Sequence, residues 1–76
     1  GADITMTREK IQTNLQNLNQ SNRPTISVNQ ITKKNREKYE QSLLGLLSID
    51  EVSDAMVIYD EILELKQRER QQRKEE

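Results

Sequence analysis

A chain of 76 residues that is 32% hydrophobic and 33% charged, with no Trp and no Phe, holds at most one small domain with little core of its own. The absence of His and Cys excludes imidazole acid–base catalysis, thiolate chemistry, disulfide staples and His/Cys metal sets. A formal net charge of −1 argues against indiscriminate nucleic-acid binding, but seven basic and three acidic residues in 1–38 face five basic and ten acidic in 39–76. That division suggests one surface suited to a polyanion and one that is not.

In chain order, Gly1-Ala2 reads as an expression scar, and residues 1–24 read as a flexible N-terminal arm. Gln12, Asn14, Gln16, Asn17, Asn19, Gln20 and Ser21 make the arm polar. Ile11, Leu15 and Leu18 recur at helical spacing and allow one or two turns, yet an isolated helix that short is marginal in water. Asn19 to Pro24 is loop by composition, and Pro24 disfavours helix before it. The arm is expected either to touch DNA or a second protein, or to be a loose tail. No signal peptide and no apolar run of about 18 residues is visible, so no membrane partner and a cytoplasmic setting are expected.

Thr25-Ile26-Ser27-Val28 alternates polar and apolar, the period of a half-buried strand. Ile26 and Val28 would point one way; Thr25, Ser27 and Asn29 would point the other. A lone strand needs a ladder partner, and no second strand-like segment is present. With so little core, a two-fold homodimer is expected. The first helix starts after either Asn29 or Thr32 as cap. Its opening cations, Lys33, Lys34, Arg36 and Lys38, oppose the helix dipole and suit a nearby polyanion or an ordinary solvated face. Gly45 is expected to end this helix, as a left-handed cap, or else to lie within it.

The sharpest local signal is Leu47-Ser48-Ile49-Asp50-Glu51-Val52. Ser48 and Glu51 have the spacing of a capping box, flanked by Leu47 and Val52 at staple positions. Asp50, Glu51 and Asp54 suit the start of a helix. Val52, Ala55, Met56, Ile58, Tyr59, Ile62 and Leu63 make the second helix's stripe. Residues 66–76 lack apolar side chains and read as a charged helical extension, loosely held.

The order strand, helix, tightly capped helix over residues 25–65 resembles the ribbon-helix-helix family of DNA-binding proteins, to which the Arc and Met repressors belong. The resemblance implies a mainly α chain with one short strand that pairs with a partner chain in an intertwined homodimer. It implies a sequence-specific binder of double-stranded DNA, acting as a transcriptional repressor or a plasmid partition or relaxosome accessory factor. In that arrangement Thr25, Ser27 and Asn29 contact base edges in the major groove. Lys33, Lys34, Arg36 and the amides of Ser48 and Ile49 contact phosphate. Ile26, Val28, Tyr39, Leu43, Val52, Met56, Tyr59 and Leu63 form the dimer core. The alternative is a small all-helical protein–protein interaction or oligomerisation module, such as a phage-type inhibitor, with no DNA role. Neither reading involves an enzyme, a cofactor or a metal.

Overall fold

The computed structural model describes residues 2–20 and 23–75, with side chains described for 6–20 and 23–69. Gly1 of the expected scar, Ser21-Asn22 of the expected loop and the side chains beyond Glu69 lie outside the described residues. Three helices appear in order: α1 over Ala2–Leu18, α2 over Lys33–Leu44 and α3 over Ile49–Glu75. A 3-10 turn at Val28–Gln30 sits between α1 and α2.

α3 is the spine. Its 27 residues extend for about 40 Å at the usual helical rise, close to the 43 Å long axis of the molecule. Val52, Ala55, Met56, Tyr59 and Ile62 are buried on one face, the spacing that turns a helix into one wall of a core. α1 packs antiparallel along the C-terminal two-thirds of that wall. Arg8 pairs with Glu69 at 3.2 Å, and Asn14 Nδ2 donates to Glu61 at 3.3 Å. Ile11 and Leu18 are buried, and Leu15 packs beside them. α2 returns from the other end of α3 as the second arm of a helical hairpin. It buries Tyr39 and Leu43, and Tyr39 stacks on Tyr59 with ring centroids 5.4 Å apart.

The ribbon-helix-helix expectation is corrected by this architecture. Among the described residues there is no strand, so the strand that would form the ribbon is missing. The physical reason lies in Asn19. Its Oδ1 accepts from the Ile26 amide at 2.9 Å, and its Nδ2 donates to the Ile26 carbonyl at 2.8 Å. One side-chain amide therefore satisfies both backbone groups that a ladder would have satisfied. Ile26 keeps the inward position that alternation assigns it and is buried. Val28 begins the 3-10 turn, where Gln30 N donates to Ser27 O and Ile31 N to Val28 O.

The expected arm is also placed differently. Residues 2–18 are helical and 11–18 pack on α3, because three apolar residues that bury little in an isolated helix bury well against a preformed wall. Part of the expected loose extension is engaged too. Lys66 Nζ donates to the carbonyls of Val28 and Ile31 at 2.8 and 2.7 Å, and Glu69 meets Arg8. Among the described residues no helix is long and apolar enough to cross a membrane.

Of the two possible starts for α2, the structure takes the second. Thr32 Oγ1 accepts from Asn35 N at 3.1 Å and Lys33 is the first helical residue. α2 ends at Leu44, and Gly45 caps it in a right-handed conformation with φ −81° and ψ −10°. The left-handed cap therefore does not occur. The turn closes through Leu46 N and Leu47 N, both donating to Leu43 O.

Candidate protein-interaction surface

The hinge between α2 and α3 is the candidate site, and its sequence explains its surface. Leu43-Leu44-Gly45-Leu46-Leu47 offers four leucines to a turn that can turn only some of them inward. Leu43 is fully buried and Leu47 packs against the core, while Leu44 is 45% and Leu46 65% exposed. Ser48 then fixes the start of α3: Glu51 N donates to Ser48 Oγ at 3.3 Å, and Ser48 Oγ donates to Glu51 Oε1 at 3.0 Å. This cap starts α3 at Ile49, whose side chain is 75% exposed. Two turns further on, Val57 is 61% exposed.

The N-terminal part of α3 is acidic. Residues 49–65 hold Asp50, Glu51, Asp54, Asp60, Glu61 and Glu64 and no basic residue. Asp60 receives Arg36 in a two-pronged pair, Nε to Oδ1 at 2.8 Å and Nη2 to Oδ2 at 3.1 Å. Glu64 pairs with Arg68 at 2.9 Å. Among the described residues Asp50 and Asp54 have no ion pair or hydrogen-bond partner through their carboxylates. Both are exposed.

The residues expected to read DNA are not gathered on one strand face. Thr25, Ser27 and Asn29 are all exposed, but each has its own setting. Thr25 lies in the irregular stretch before the 3-10 turn, and Ser27, in extended backbone, donates from N and Oγ to Gln30 Oε1 at 2.9 and 3.3 Å. Asn29 lies in the 3-10 turn at the rim of a hollow of about 560 Å³, shared with Arg8, Ile11 and Thr32. Of the expected phosphate contacts, Lys33 and Lys34 are exposed at the start of α2, while Arg36 is engaged with Asp60. That pairing raises the Arg36 pKa, chiefly through the hydrogen bonds and charge of Asp60. At the start of α3 Ser48 Oγ accepts from Glu51 N and the Ile49 side chain is exposed; neither observation involves the Ser48 and Ile49 amides expected to meet phosphate. The eight residues expected as a dimer core pack within one chain. Ile26, Tyr39, Leu43, Val52, Met56 and Tyr59 are buried, and Val28 and Leu63 are half-buried against them.

The tyrosines face inward and serve structure. Tyr59 Oη donates to the Thr32 carbonyl and accepts from the Thr32 amide at 3.0 Å, tying the start of α2 to α3. The Tyr39 hydroxyl is sealed from solvent and meets no partner among the described residues. Burial pushes both phenols above their ordinary range.

Sequence reasoning gave no role to Leu44, Leu46 or Val57. The available signal was Val57's phase. It lies outside the row Val52, Met56, Tyr59, Leu63 and falls among acids. Comparison with family models, with curated proteins and with solved structures returns no match.

Proposed function

We propose that the chain is a small all-helical protein–protein interaction module, whose contact surface is the hinge between α2 and α3. The observation that carries this reading is the exposure of Leu44, Leu46 and Ile49 at one turn, in a chain with few apolar residues to spare. Taking a leucine or isoleucine fully out of water contributes about 1.5–3 kcal/mol, so a cluster left in solvent is a reservoir of binding energy. The module is non-catalytic, needs no cofactor and works in the cytoplasm.

Site-specific photo-crosslinking tests this. A photoreactive residue at position 46, in the full chain in its native host, should give a discrete adduct with one protein. The same residue at position 34 should not. Adducts of equal yield and pattern from both positions would remove the hinge as the site.

A second reading rests on Lys33, Lys34 and Lys38, which are exposed on one stretch of α2. It keeps a DNA role through phosphate attraction alone, without a ribbon. Lys33→Ala with Lys34→Ala should then weaken duplex binding and flatten its salt dependence. Absence of salt-dependent affinity for any duplex would remove this reading.

A further inference from the structure

We infer that residues 25–28 are a backbone edge able to pair with another chain, held shut by side chains of their own chain, with Asn19 as the latch. The inference is independent of the hinge. Thr25-Ile26-Ser27-Val28 alternates polar and apolar, and residues 25–29 carry no charge and no proline. Charges and prolines are two of the devices by which proteins keep an exposed edge from pairing with a second copy. Thr25 and Ser27 are both exposed. The groups that block this edge come from elsewhere in the chain.

Three elements supply the block. Asn19, just past the end of α1, accepts from the Ile26 amide at 2.9 Å and donates to the Ile26 carbonyl at 2.8 Å. Gln30 Oε1, in the 3-10 turn, accepts from Ser27 N at 2.9 Å. Lys66 Nζ, on α3, donates to the Val28 carbonyl at 2.8 Å. Backbone groups at 26, 27 and 28 are thus engaged within the chain. Of these three side chains, Asn19 is the one that holds both groups of a single residue, as a rung of a ladder would. Its place depends on α1. Leu18 beside it is fully buried, and Asn19 N donates to Leu15 O at 2.9 Å. The Asn19 amide is therefore aimed at Ile26 while α1 lies on α3, and docking of α1 closes the edge.

The test compares the full parent chain with Asn19→Ala, Asn19→Ala with Thr25→Lys, and Ser48→Ala, which weakens the fold away from the edge. Hydrogen exchange at low concentration reads the Ile26 amide, and sedimentation reads association. An isotope label in the Ile26 carbonyl reads strand pairing between chains by infrared coupling. Asn19→Ala should speed exchange at Ile26 about tenfold or more beyond any change at Tyr59, as a local opening does. It should also associate about tenfold or more tighter than the parent, with the labelled carbonyls coupled, because the freed groups find partners in a second copy. Thr25→Lys should reverse that association without restoring protection at Ile26, since like charges are then brought together while the latch is still missing. Ser48→Ala should neither associate nor open Ile26 selectively. Association of Ser48→Ala as strong as that of Asn19→Ala would assign the effect to general loss of stability and overturn the inference. Unchanged exchange at Ile26 in Asn19→Ala would overturn it, as would association no tighter than the parent's or association that survives Thr25→Lys. If Asn19→Ala does not fold, Asn19→Asp decides. It keeps an acceptor for the Ile26 amide, loses the donor to the carbonyl and should still associate more tightly than the parent; parity with the parent overturns the inference.

Discussion

At the scale of single residues, the two tyrosines make opposite predictions from the same chemistry. Tyr59 Oη both donates to and accepts from Thr32, so Tyr59→Phe leaves a part-buried amide and carbonyl without that partner. That should cost about 1–3 kcal/mol in thermal or denaturant melts. Tyr39 Oη has no partner among the described residues, so Tyr39→Phe should be within about 0.5 kcal/mol of the parent or stabilising. Equal losses in the two variants would contradict the assignment of the Thr32 tie. Met56, buried in the wall of α3, should cost about 2–5 kcal/mol when changed to Ala, through lost contacts and a cavity. The tyrosines also set a pH dependence. Folding raises both pKa values, so the folded chain holds its phenolic protons more tightly than the unfolded chain does. Their contribution is fully present below the unfolded value of about 10 and is lost as pH rises through the raised folded values. Melting temperature should fall in that alkaline window, and Tyr39→Phe should reduce the slope. A flat alkaline profile would mean the phenols are not buried.

At the scale of elements, local signals were legible and non-local ones were not. The start of α3 could be read because Ser48 and Glu51 sit three residues apart and satisfy each other. Ser48→Ala should therefore cost about 1 kcal/mol. The end of α2 at Gly45 could be read as a break, but not the hand of its cap, since helix ends are served by right-handed as well as left-handed residues. Because φ there is negative and an added Cβ would meet only Ser42 O at 3.7 Å, Gly45→Ala should stabilise by about 0.4–1 kcal/mol through the unfolded state. A loss of stability would mean the turn needs glycine after all. The strand expectation came from real alternation, since Ile26 does point inward. What the alternation could not show was that Asn19, seven residues earlier, would supply both hydrogen bonds. Nor could the pattern of 1–18 show that α3 would offer a wall for Ile11 and Leu18. The hinge surface was half legible: Ser48 and Ile49 stood out in the sequence, and the exposure of Leu44 and Leu46 emerged only in the folded turn.

At the scale of the molecule, the account turns on where the missing core comes from. The composition demanded more burial than residues 25–65 alone provide, and a second copy was the expected source. In the structure α1 supplies it from within the chain, Tyr39 and Tyr59 stack inside one protomer, and Lys66 holds the connecting turn against α3. Among the described residues, the large apolar side chains left exposed are Leu44, Leu46 and Ile49 at the hinge, Val57 on α3 and Met6 on α1. The most direct measurement is amide hydrogen exchange of the full, unmodified chain, followed residue by residue at low concentration. Amides of 11–18 should be protected within about the same range as those of 52–62, since both belong to one cooperative core. Fast exchange throughout 11–18, with protection confined to residues 25–65 and dependent on protein concentration, would contradict the account and return the missing core to a second chain.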